Sequence, residues 1–198
     1  MGAGVAELLR PARALALALL LFPVGFATHE MMHLLVYTAA GVRAALVVTH
    51  WQVGIGSAAI AGVHAAPLGP GGPGAPDAVV PFWLLVANNG LGPLLAAMPL
   101  LALWLGVERR SRVARAALLA NVAVLVFFSA IEMAYPLVER FGKVEADVLL
   151  LPGVNYGGAL LVLLAVLTAS LRRPSHGGLL RVAGSGDASS PGGRIAHP

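Results

Sequence analysis

Five consecutive residues, His29-Glu30-Met31-Met32-His33, carry the densest chemistry in the sequence. On a helix, this spacing sets two imidazoles one turn apart on one face, where both can reach a single metal ion. Zinc suits such a pair, and the glutamate beside the first histidine is then placed to take a proton from a water at the metal. A catalytic zinc wants three protein ligands and one open position, so a third donor must come from elsewhere in the chain. There is no cysteine. That excludes disulfides, thiolate zinc sites and iron–sulfur clusters, and leaves His, Asp and Glu as donors.

The elements that must position these groups are apolar. The chain has 198 residues, 58% hydrophobic and 11% charged, with a mean hydropathy of +0.83. A soluble domain carries about 25% charged residues, so the composition predicts an all-α polytopic membrane protein. Four spans are expected, at about residues 12–36, 81–105, 116–138 and 149–171, each long enough for a hydrocarbon core about 30 Å thick. The histidine motif lies inside the first. Ionisable groups at membrane depth cost about 2.5–3.5 kcal/mol each on insertion scales, so three within five residues require a reason.

Between the first two spans the chain is less apolar. Residues 41–56 read as a re-entrant or β-hairpin-like segment, and the tract 67–76, with four Pro and four Gly, excludes helix. The second span is interrupted by Asn88-Asn89-Gly90-Leu91-Gly92-Pro93; the third holds Asn121, Glu132 and Pro136; the fourth opens with Pro152 and Asn155. Residues 1–171 form one membrane-embedded domain in this reading. Residues 172–198 are rich in Gly, Ser, Pro and Arg and read as a disordered tail.

Arginine sets the orientation. Residues 1–13, the connection 106–115 and the tail hold ten Lys and Arg, whereas the other two connections hold three: Arg43, Arg140 and Lys143. The positive-inside rule then puts both termini in the cytoplasm, in a plasma membrane of bacterial type, and the clustering at span ends speaks against a nucleic-acid surface. At about 1.5 Å per residue, His29 and His33 lie about 6–13 Å outward of the first span's midpoint, and Glu132 about 8 Å outward of the third's. Asn88, Asn89 and Asn155 fall at similar depth. Glu132 is therefore the first choice for the third ligand, as the other carboxylate at membrane depth. Asp147, at the outer mouth of the fourth span, is the alternative, with His50 and His64 behind it. Asn88 and Asn89 suit donation of amide hydrogens to a substrate backbone or a developing oxyanion.

An H-E-x-x-H inside an early span, a Gly/Val-rich hairpin-like segment after it and later spans broken by polar residues resemble the site-2-protease-type intramembrane zinc metalloproteases. The resemblance implies zinc on His29 and His33, with Glu30 as general base. It also implies hydrolysis of a peptide bond in a membrane protein or peptide substrate, within or beside the lipid bilayer. In that family the third ligand is an aspartate in a Leu-Asp-Gly context, and the site lies nearer the cytoplasm. Here Asp147 stands in Ala-Asp-Val-Leu, and the arginines put the motif nearer the outside. The alternatives to a peptidase are a catalytically inactive pseudo-protease acting as a membrane interaction protein, and a metal or proton transporter built on His and Glu132.

Overall fold

The computed structural model describes residues 9–52, 59–73, 80–108, 111–142 and 152–172; for 49–52, 59–63, 73 and 152–153 it describes the backbone alone. In chain order the elements are α1 (Arg10–Ala39), β1 (Ala44–Gln52), β2 (Ala59–Gly69), β3 (Gly72–Pro73), α2 (Phe82–Gly106), α3 (Arg112–Phe141) and α4 (Pro152–Arg172). Asp147 and residues 173–198 lie outside the described residues.

All four helices are long and apolar enough to cross a membrane. The 25 residues of α2 rise about 37 Å, more than the hydrocarbon thickness. Large apolar side chains such as Leu20, Leu105 and Leu161 face outward, an arrangement suited to a surface covered by lipid and poorly suited to water. Inside, the helices meet through small residues. Ala14 and Ala18 of α1, Ala96 and Ala97 of α2, Ala116, Ala117 and Ala120 of α3 and Ala159 of α4 are all buried in one core. Small side chains let helix backbones approach closely where lipid removes the hydrophobic drive for association.

Polar side chains tie this core together. Asn121 donates to the carbonyls of Ala18 (3.1 Å) and Ala117 (3.0 Å), linking α3 to α1. At the far end of α2, Arg115 donates to the carbonyls of Trp104 and Val107 and lies 4.3 Å over the Trp104 ring. The last carbonyls of α2 thus find a cationic partner on α3.

Helix α2 runs unbroken through Asn88–Pro93, where the sequence suggests an interruption. Helix α3 covers that face, and Ser129 Oγ donates to the Gly90 carbonyl at 2.8 Å.

Helix α1 ends in a turn that sets the course of the hairpin. Gly41 adopts φ +76, its N–H reaches the Thr38 carbonyl at 3.0 Å, and the Val42 N–H reaches that of Tyr37 at 2.9 Å. This pair of bonds is a Schellman motif, and its left-handed position favours glycine. The chain then folds back as the antiparallel pair β1–β2, in register Leu46↔Ala65 and Val47↔His64. Both strands contact α1, and β3 pairs with Leu68 and Gly69 of β2.

Candidate metal centre

Helix periodicity places the motif on the buried side of α1. Gly25, His29, His33 and Tyr37, spaced by four, form its buried stripe together with Glu30. The His29 ring is 1% exposed, so its surroundings decide its orientation. It stacks on Phe128 of α3 at 5.9 Å with 9° between the planes, and meets the edge of Phe26 at 5.8 Å. His33 is fixed from the other side by α2. A Cβ added at Gly92 would stand 2.5 Å from His33 Nδ1 and Cε1, so the ring lies where only glycine leaves room.

The two rings bring their Nε2 atoms to 2.6 Å. Glu132 of α3 closes the triangle, with Oε2 at 3.2 Å from His29 Nε2 and 3.0 Å from His33 Nε2. Two imidazole nitrogens and one carboxylate oxygen therefore converge from helices that are far apart in sequence, and they form the group of potential metal donors found among the described residues. Three acceptor lone pairs at such distances repel unless a proton or cation lies among them, and a cation there would also offset a carboxylate set among apolar helices. Two histidines and a glutamate with a fourth position left open is one of the donor sets of catalytic zinc. The donor chemistry and the convergence fit that ion.

Glu30 leaves the triangle and faces the hairpin. Its Oε2 accepts the Ala65 N–H of β2 at 2.9 Å, while Oε1 stands 3.8 Å from His29 Nδ1. The bond costs the sheet nothing. Leu68 N–H points to the Arg43 carbonyl, so by strand alternation Ala65 N–H points away from β1.

The remaining candidates divide. Asn88 is buried beside His33 and Tyr37, and its Oδ1 has no hydrogen-bond partner; neither has the Nδ1 of His29 or His33. Asn89 turns the other way and donates Nδ2 to the backbone carbonyl of Glu132 at 3.0 Å. Asn155 is half-buried on α4, its Oδ1 also without a partner. His64 is half-buried on β2; His50 lies in β1 with only its backbone described.

Several contributors escape a reading by residue type. The Ala65 donor is backbone and carries no signal. Tyr156 of α4 comes within electrostatic reach of Glu30 and Glu132, a phenol that the depth estimate, based on amides and carboxylates, passes over. Pro136 was legible: a proline four residues after Glu132 deprives that carbonyl of its helical donor.

Set against protein-family models, curated proteins and solved structures, the chain matches none of them. Function therefore rests on the site's own chemistry.

Proposed function

We propose that the chain is an intramembrane zinc-dependent peptidase that hydrolyses a peptide bond of a membrane-embedded or membrane-adjacent protein. The observation that supports this most strongly is the convergence of His29, His33 and Glu132 with Glu30 directly beside them. His29, His33 and Glu132 are the residues that would hold the ion. When bound, zinc would polarise a carbonyl and make water a stronger acid.

The chain's own groups account for the rest of the reaction. Glu30 takes a proton from the attacking water as the new C–O bond forms at the scissile carbonyl. It then gives that proton to the amide nitrogen as the C–N bond breaks, so a single carboxylate serves as base and acid. Phe26, Phe128 and Gly92 hold the two rings in place, sparing the site reorganisation during the reaction. A scissile bond must be presented in extended form. The outer edge of β2 ahead of Ala65, which lacks a strand partner between residues 59 and 63 among the described residues, suits an added strand of substrate. The arginine distribution supports an integral membrane protein with both termini cytoplasmic.

The test is metal content and turnover measured together, in liposomes, on quenched-fluorescent transmembrane peptides. The intact protein should hold about one zinc per chain. Glu30→Gln should keep the metal and lose turnover by at least about a hundredfold. Full turnover in Glu30→Gln would rule out this mechanism.

A further inference from the structure

In a regular helix the carbonyl of Glu132 would accept the N–H of residue 136. Residue 136 is proline and has none. That carbonyl would be stranded at membrane depth, where no water can satisfy it. The side chain that reaches it belongs to α2: Asn89 Nδ2, at 3.0 Å.

We infer that Asn89 and Pro136 together position the Glu132 carboxylate. Proline opens the backbone of α3 at the residue that bears the carboxylate, and Asn89 fixes the opened peptide against α2. A reciprocal bond lies one turn earlier, where Ser129 Oγ of α3 donates to the Gly90 carbonyl of α2 at 2.8 Å. The helices approach closely beside these bonds: a Cβ at Gly90 would come 3.3 Å from Met133 Sδ. Two bonds running in opposite directions fix the register of α2 against α3. His33 packs on the same stretch of α2 through Gly92, so one helix sets both His33 and Glu132. Asn89 is thus a positioning residue whose amide is committed to the protein. Toward metal, the inference rests on the reading that His29, His33 and Glu132 hold the ion.

The test is a cycle of variants in the full chain, using Co²⁺ alone as the probe. Asn89→Ala should weaken Co²⁺ binding about 10- to 100-fold and shift the ligand-field absorption, as losing an outer partner of a metal ligand does. Pro136→Ala restores an N–H that can serve the Glu132 carbonyl from within α3. In that background the further loss caused by Asn89→Ala should shrink to about threefold or less; a mere packing role for Asn89 would show no such rescue. Should Asn89→Ala fail to fold, Pro136→Ala and the double variant still give the comparison. An undiminished loss in the Pro136→Ala background, or no loss in Asn89→Ala, overturns the inference. A second readout needs no metal. The imidazole ¹⁵N shifts of His29 and His33 in the metal-free chain report the bonds to Glu132, and should move in Asn89→Ala and return in the double variant. Absence of Co²⁺ binding by the unsubstituted chain would sink the metal reading alone, and unmoved ¹⁵N shifts would then sink the positioning role.

Discussion

Ala65 donates its backbone N–H to Glu30 Oε2 at 2.9 Å, so the hairpin holds the carboxylate that stands beside the histidine pair. One carboxylate oxygen is anchored by the bond and the other is left for a proton. Because this N–H lies outside the β1–β2 ladder, it can be removed without breaking a strand pair. Pro67, at an equivalent outward position two residues on, shows that the strand edge accepts proline. Ala65→Pro should therefore leave zinc content unchanged and lower turnover by about tenfold to a hundredfold, the scale expected when a reacting group loses its fixed geometry. Wild-type turnover would show that Glu30 works without the hairpin.

Gly92 offers a test of the wall behind His33. Alanine gains about 1 kcal/mol over glycine in helix propensity. Here, however, its Cβ would stand 2.5 Å from the His33 ring, and overpacking costs about 1–3 kcal/mol. The clash wins, and the movable partner is His33. Gly92→Ala should still insert and fold, yet bind zinc at least about tenfold more weakly, as read by competition with a chromogenic chelator. Gly106, whose added Cβ meets nothing within 4 Å, provides the matched control.

Much of this was legible in the sequence because polar residues stand out against long apolar runs. Four apolar runs give four helices whose bounds fall within a few residues of the expected spans. Residues 41–56, read as a hairpin-like segment, supply the Gly41 turn and β1, whereas the partner strand β2 comes from residues 59–69, beyond that segment. The motif residues and Glu132 stood out because ionisable groups inside long apolar runs need partners. What depth could not supply was direction around the helix. Asn88 and Asn89 are neighbours in sequence at one depth, yet a rotation of about 100° per residue sends one to His33 and the other to the Glu132 backbone. Nor does hydropathy detect a glycine that makes room for a ring, or a strand N–H aimed at a carboxylate.

Topology supplies a prediction independent of the metal. Reporter fusions within 106–115 and after Arg173 should both read cytoplasm, and a fusion within 67–76 should read the outside. A cytoplasmic 67–76 tract would invert the bundle and move His29, His33 and Glu132 to the inner half of the membrane.

The third ligand is the sharpest point at issue, because distance and family resemblance favour different residues. Glu132 Oε2 stands 3.2 and 3.0 Å from the two Nε2 atoms, whereas the resemblance favours an aspartate, for which Asp147 is the candidate. Removing one ligand of three leaves two histidines, a set that holds zinc poorly against water. Glu132→Ala should therefore lower zinc affinity by orders of magnitude, and Asp147→Ala should leave zinc content nearly intact. Glu132→Gln refines the test: it keeps the size and the oxygen donor but removes the charge, so an electrostatic contribution appears as the difference between Gln and Ala. Metal-to-protein ratios after dialysis against a weak chelator, measured for all three variants, decide the matter. Loss of zinc in Asp147→Ala together with its retention in Glu132→Ala would mean that the segment before α4 supplies the ligand. Glu132 would then be a partner of the histidines by hydrogen bonding alone.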